Sequence, residues 1–226
     1  MSGLRLWGIG TSRTLRPHWL LQELGLDYET RAVLPRSDAM NDPELLRWTR
    51  RRKIPFLEDG DVRIGESGAI LLHLADRYRE RGVFAPEPGS PERALFHDLA
   101  FFIVTELDAT TLYVLRRHEG LPDEYGEAPS ACSAARAYFL RQLGEMERRL
   151  GDGRPHLLGD AFSAVDVLLA SCLAWAQFCR IALPDALIAY RDRVVARPAF
   201  ARAMQINFPP EALAALGRPL PAATSA

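Results

Sequence analysis

Glu66 and Ser67 stand where a short strand-like run, Val62 to Gly65, gives way to a helical one, Ser67 to Tyr78. The first turn of a helix carries free N–H groups that favour an anion, and a serine placed there can cap it. Ile54-Pro55 opens an earlier apolar run. Asp59-Gly60, between the two strand-like runs, is a hairpin signal, because glycine takes positive φ at no steric cost. Pro55 brings no ladder donor, so its position must face a sheet edge or a site. A carboxylate and a hydroxyl at one helix start, beside an unpaired strand end, make a receptor for a zwitterionic, peptide-like ligand. Just upstream, Arg50 to Lys53 forms a basic run, whose plain reading is a solvated turn beside a small anionic site. Lys53 is the only lysine among 28 basic residues, and a flexible ammonium suits a ligand carboxylate.

These residues need elements to hold them. Leu4 to Trp7 reads as a strand, and Leu15 to Leu24 as a helix with Trp19, Leu20 and Leu24 spaced for one face, closed by Gly25. Tyr28 to Val33 alternates as a strand, and Asp42-Pro43 starts a short helix to about Trp48. With the hairpin and the Ser67 helix the order is βαβ-α-ββα, a small mixed sheet whose parallel crossover should be right-handed. Gly82 to Pro91 holds three prolines and two glycines and reads as a linker. Beyond it every pattern is helical: Pro91 to about His118, Pro129 to Leu150, Ser163 to Phe178, Pro184 to Tyr190 and Pro198 to Ile206. The expected class is therefore α/β followed by all-α. The expected domains are a mixed-sheet domain over 1–81, a linker over 82–90, an all-helical domain over 91–217 and a loose tail over 218–226. Ser163-Ala164-Val165-Asp166 reads as a structural capping box. Losing Asp166 is expected to cost about 1 kcal/mol or more through the cap alone.

Composition narrows the function. A chain of 226 residues with 48% hydrophobic content can bury one large core or two small ones. A net charge of -1 recommends neither nucleic acid nor an anionic membrane as a partner. Cys172 and Cys179, two turns apart on one expected helix and roughly 10 Å from each other, are too far to bridge, and with Cys132 the three fit a reducing compartment. With no apolar run of spanning length and no signal-peptide core, a cytoplasmic location is expected. The five histidines are scattered without paired ligand spacing, so no metal is expected.

The Lys53-Ile54-Pro55…Glu66-Ser67 pattern resembles the glutathione-binding half of a thioredoxin-like domain as glutathione S-transferases carry it. Leu4 to Trp7 followed by Thr11 to Arg16 and Trp19 to Leu26 is similar to that family's first strand and first helix. Gly159 to Asp166 is similar to its C-terminal capping motif, and Arg197-Pro198-Ala199-Phe200 to the start of its last conventional helix. Four motifs in order over nearly the whole length are far more specific than any one. The resemblance implies a thioredoxin-like N-terminal domain, a helical-bundle C-terminal domain, glutathione as co-substrate and a homodimer. It further implies attack by the glutathione thiolate on a small hydrophobic electrophile, or on a peroxide, with isomerase and dehalogenase reactions left open. A cysteine-type thiol has a pKa near 8.5, so the protein must supply a hydrogen bond and a positive field at the sulfur. Ser12 matches the catalytic serine of the serine-type transferases, four residues before Arg16, with Thr11 close behind; either hydroxyl could instead merely cap the helix. The N-terminal tyrosine of other classes is missing, Trp7 standing in the first strand. The backbone of Ile54, before Pro55, should pair with the cysteinyl part of the ligand as an added strand. Glu66 and Ser67 should hold the γ-glutamyl amine and carboxylate, with Lys53 and then Arg52 at the glycyl carboxylate. The electrophile is expected against the long helix, at Thr105, Ala109, Leu112, Tyr113 and Arg116, which share a face at α-helical spacing. The alternative for Leu112 and Tyr113 is core or dimer contact.

Other readings are weaker. Gly65 to Ala69 mimics a nucleophile elbow, but the later strands a hydrolase needs for its acid and histidine are missing. A thiol-disulfide reductase needs an N-terminal cysteine, and residues 1–80 contain none. The rival of a different class is a non-catalytic binding or dimerisation module on the same fold.

Overall fold

In the computed structural model, which describes residues 3–216, β1 (Leu4–Trp7) pairs on both sides. The sheet is mixed and four-stranded, in the order β2 (Glu29–Arg31), β1, β3 (Phe56–Asp59), β4 (Val62–Gly65). Leu6 lies opposite Thr30 in the parallel β1–β2 pair and opposite Leu57 in the antiparallel β1–β3 pair. Asp59 faces Val62 across β3–β4, leaving Gly60-Asp61 as a two-residue loop in which Gly60 takes φ +58°. The ladder of β3, an inner strand, begins at Phe56, so Pro55 falls just outside it and costs the sheet no hydrogen bond. The second strand pairs over three residues rather than the six expected, because its partner leaves the extended conformation at Gly8, φ +113°.

Helix α1 (Ser12–Glu23) begins three residues before the apolar spacing places it. Its start is set by a capping box between Thr11 and Thr14, not by the hydrophobic face. Asp42 caps α2 (Pro43–Trp48) by accepting from the Glu44 N–H at 2.8 Å. A 3-10 turn over Asp38–Asn41 precedes it, which the sequence did not signal. Helix α3 runs over Ser67–Arg77. On one side of the sheet Trp7, Val33, Met40, Leu45 and Phe56 form a buried cluster with Ile54 packed against it.

The chain divides into two compact units, residues up to Leu74 with those from Pro198 onward, and Ala75–Arg197. The sequence alone suggests a linker over 82–90 and a single helical domain over 91–217. Helix α10 (Pro198–Asn207) lies along α1 in the first unit, with the Trp19 and Phe200 rings 4.7 Å apart edge-on and Arg202 donating to the Gln22 side chain at 3.0 Å. A short α11 (Pro210–Ala215) follows; the tail expected over 218–226 lies outside the described residues.

The second unit is helical. Helix α8 (Ala164–Phe178) is its centre, with twelve of fifteen residues buried, as a helix apolar on all sides must be. The others are α4 (Pro91–Phe102), α5 (Tyr113–His118), α6 (Pro122–Tyr125), α7 (Pro129–Leu150) and α9 (Asp185–Val195). The continuous α-helix expected from Pro91 to His118 is corrected: Ile103–Leu112 is a π-helical segment joining α4 to α5. The wider turn changes which side chains line up, so the face drawn through Thr105, Ala109, Leu112 and Arg116 at α-helical spacing does not hold there. None of the three cysteines is in a disulfide. Among the described residues no helix is long and apolar enough to cross a membrane, and no group of three or more His, Cys, Asp or Glu could hold a metal ion.

Candidate functional site

The turn from β1 into α1 is built on Gly8-Ile9-Gly10. A Cβ on Gly8 would lie 2.6 Å from the Ile54 Cβ and 2.9 Å from the Thr14 Cγ2, so glycine is required for the turn to come against Ile54. Beneath it lies His18, buried, with Nε2 3.1 Å from the Gly8 carbonyl and Nδ1 2.8 Å from the Tyr28 hydroxyl. Burial holds the His18 pKa down at about 4, against a smaller opposing pull from the Gly8 carbonyl, and raises Tyr28 to about 12. The imidazole is therefore neutral near pH 7. A carbonyl only accepts, so Nε2 carries the hydrogen and Nδ1 accepts from Tyr28.

At the mouth of the turn the two hydroxyls differ. The Thr11 Oγ1 accepts from the Thr14 N–H at 3.0 Å and lies 2.9 Å from the Thr14 Oγ1, whose own proton goes to the Thr11 carbonyl at 2.9 Å. That leaves Thr11 to donate its proton to Thr14, and the cap is closed on itself. Ser12, the first residue of α1 and half-buried, has no such commitment among the described residues. It sits where the helix dipole places roughly half a positive charge.

Beside this turn the Ile54–Pro55 peptide is cis, with Ile54 half-buried and Pro55 buried. The Pro55 carbonyl lies 3.9 Å from where a Gly65 Cβ would stand, so the edge before β3 abuts the junction of β4 and α3. There Glu66 takes φ +67°, a left-handed conformation a glutamate rarely adopts, and its carbonyl accepts from the Ile70 N–H at 2.9 Å to start α3. Its side chain is exposed and 3.6 Å from Arg51 Nη1, a loose surface pair. Ser67 is buried, and Arg16, also buried, donates to its Oγ at 3.1 Å. With the oxygen accepting from a guanidinium, the Ser67 proton remains to be donated.

Thr11, Ser12, Ile54, Pro55, Glu66 and Ser67 are thus gathered along one contiguous edge of the first unit. Lys53 and Arg52 are exposed near that edge, Arg52 with φ +50°. In the helical unit Thr105 and Ala109 are exposed, Tyr113 and Arg116 half-buried, and Leu112 wholly buried in the core. Thr105 donates to the Phe101 carbonyl at 2.8 Å, and Tyr113 stacks on Arg117, 4.7 Å from ring centre to guanidinium carbon. Sequence reasoning did not anticipate Arg16 against Ser67, Arg51 near Glu66 or His18 under Gly8. The paired glycines after β1 were the one available signal of a tight turn there; nothing local marks His18 or Arg16 as buried.

The chain matches known families at both ends. Residues 2–76 match the family Glutathione S-transferase, N-terminal domain, and residues 129–205 match Glutathione S-transferase, C-terminal domain. Glutathione S-transferase 1 of Schizosaccharomyces pombe is 30% identical over 180 residues, 77% of this chain and 74% of that one. Among solved structures, a glutathione transferase from Methylococcus capsulatus is 28% identical with a TM-score of 0.75, the alignment covering 90% of this chain and 98% of that one. A sphingomonad glutathione S-transferase complexed with glutathione is also 28% identical, with a TM-score of 0.73 and the same coverage. Sequence motifs, mixed sheet, helical unit and these likenesses agree, and the chain belongs to the glutathione S-transferase family.

Proposed function

We propose that this protein is a glutathione transferase that binds glutathione along the edge formed by the β1–α1 turn, Ile54–Pro55 and the start of α3. Ser67 donates to the γ-glutamyl carboxylate, and the nearby Arg16 charge and the N-terminus of α3 favour the same anion. Glu66 receives the γ-glutamyl amine in competition with Arg51, an exposed pair easily exchanged. The Ile54 backbone pairs with the cysteinyl unit. Lys53, with Arg52, meets the glycyl carboxylate. The sulfur then lies at the N-terminus of α1, where the Ser12 hydroxyl donates a hydrogen bond to the thiolate and Thr11 serves the cap. Lowering the thiol pKa raises the fraction of nucleophile at neutral pH. The thiolate electron pair forms a bond to carbon of a small hydrophobic electrophile while the leaving group or an adjoining π bond takes up the displaced pair. A peroxide oxygen is the other target of the same thiolate, the S–O bond forming as the O–O bond breaks and the other oxygen leaves with the electron pair as alkoxide or hydroxide. Leu112, wholly buried, is left to the core of the helical unit.

The observation that carries this reading is the difference between neighbouring hydroxyls at two helix starts. Thr11 is consumed by its cap, while Ser12 and Ser67 each keep a proton to give. Support for the ligand comes from the 28%-identical sphingomonad relative, whose structure holds glutathione. The test is calorimetric titration with glutathione at neutral pH. Binding by the wild type that weakens about tenfold in Ser67→Ala is expected for one lost hydrogen bond to a charged group. A well-folded wild type that takes up no glutathione would overturn the reading and bring the non-catalytic module forward.

A further inference from the structure

We infer that Asn207, remote in sequence from the first strand, is a positioning residue for the thiol-activating turn; the inference rests on the reading of Ser12 given above. Asn207 is the last residue of α10 and is wholly buried. The last carbonyls of a helix have no partner within it, and that of Asn207 accepts from the Gly10 N–H at 2.7 Å. Its side-chain Nδ2 donates to the Thr11 carbonyl at 3.0 Å. Turning the amide over would set two oxygens against each other, so its orientation is fixed by chemistry. The Oδ1 is buried and has no hydrogen-bond partner among the described residues. Of the two ends of this amide, only the donor has a partner among the described residues.

What that donor holds is the peptide unit between Thr11 and Ser12. The carbonyl end of this unit accepts from Asn207 Nδ2, from the Leu15 N–H at 3.0 Å and from the Thr14 hydroxyl at 2.9 Å. The peptide is planar, so fixing its oxygen fixes the direction of the Ser12 N–H at its other end, and with it the Cα that carries the Ser12 hydroxyl. Hydrogen bonds to the carbonyl also polarise the N–H opposite and strengthen it as a donor to a thiolate. Asn207 touches no reacting atom in this account. It aims and polarises the first peptide of α1 from behind, across 196 positions of sequence.

The test follows the ultraviolet absorbance of bound glutathione thiolate against pH, together with kcat and KM for glutathione, in the wild type, Asn207→Ala, Asn207→Asp and Ser12→Ala. Alanine removes the donor without adding charge, and aspartate keeps the shape while facing the Thr11 carbonyl with an oxygen. Folding is checked by thermal melting. Folded Asn207 variants are expected to raise the thiol midpoint by about one pH unit, roughly a tenfold loss of thiolate below it. The KM for glutathione should move by less than about twofold, because Ser67 and Ile54 are untouched. Folded variants with the wild-type midpoint and kcat, or with KM alone altered, overturn the inference. So does failure of both variants to fold, which would assign Asn207 to the core alone. A wild type whose bound thiol titrates like free glutathione, with Ser12→Ala unchanged from it, would instead bring down the proposed function and this inference with it.

Discussion

Two adjacent hydroxyls, Thr11 and Ser12, part company over what their protons are already doing, and substitution should separate them. Thr11→Val loses a helix cap and is expected to lower stability by about 1 kcal/mol in urea unfolding, with the bound thiol pKa little moved. Ser12→Ala should leave stability within about 0.5 kcal/mol and lower kcat by roughly a hundredfold, the order seen when one donor to a developing anion is removed. His18 makes a pH prediction. Its folded pKa is about 4 against 6.5 when unfolded, so as pH falls the unfolded chain takes the proton first. The stability tied to this residue is full above pH 6.5 and is lost on the way down to about pH 4. The loss is on the order of 3 kcal/mol. His18→Gln, which can still donate to Gly8 and accept from Tyr28, should remove that part of the acid slope in unfolding measured across the same window.

At the scale of elements, the site depends on strand and helix ends approaching more closely than side chains allow. Gly8 permits this twice over, by its positive φ and by the space it leaves for Ile54 and Thr14. Gly8→Ala is expected to cost about 2–3 kcal/mol and to push Ile54 outward. Glutathione affinity by calorimetry should then fall even where the variant is folded. The start of α1 follows the same logic: a local capping box overrides apolar spacing, which is why the helix begins at Ser12. In the second unit the π-helical segment shows the converse. Nothing in the run from Ile103 to Leu112 breaks a helix, so sequence spacing alone continues the α-helical register through it.

Across the whole molecule, burial decides how much one group matters. The Asp166 carboxylate is wholly buried, with Oδ2 accepting from the Ser163 N–H at 2.9 Å and hydroxyl at 2.8 Å, and Oδ1 from the Leu157 N–H at 2.8 Å and the Tyr190 hydroxyl at 2.7 Å. Burial first, then this carboxylate, holds the Tyr190 pKa well above its usual value. Asp166→Ala strands several buried donors, so the cost rises from the cap's ~1 kcal/mol to about 4 kcal/mol, a fall in Tm of roughly 10 °C by calorimetry. Activity per folded molecule should be kept; a stable but inactive variant would give Asp166 a different role. Most of the longer elements, their order and the family were legible in the sequence, because capping residues, turn glycines and helical or strand periodicity act over a few neighbouring positions. Leu4–Trp7, Pro43–Trp48 and Pro129–Leu150 were read with their observed bounds for that reason. Glu66 and Ser67 were placed at a strand–helix junction because that position is itself local. What only the tertiary structure decided is which distant groups meet: Arg16 under Ser67, His18 under Gly8, Asn207 behind Thr11, and α10 alongside α1. Those pairings turn on burial and close approach between segments remote in sequence, where a hydrogen bond gains its strength from the exclusion of water and no local pattern records its partner.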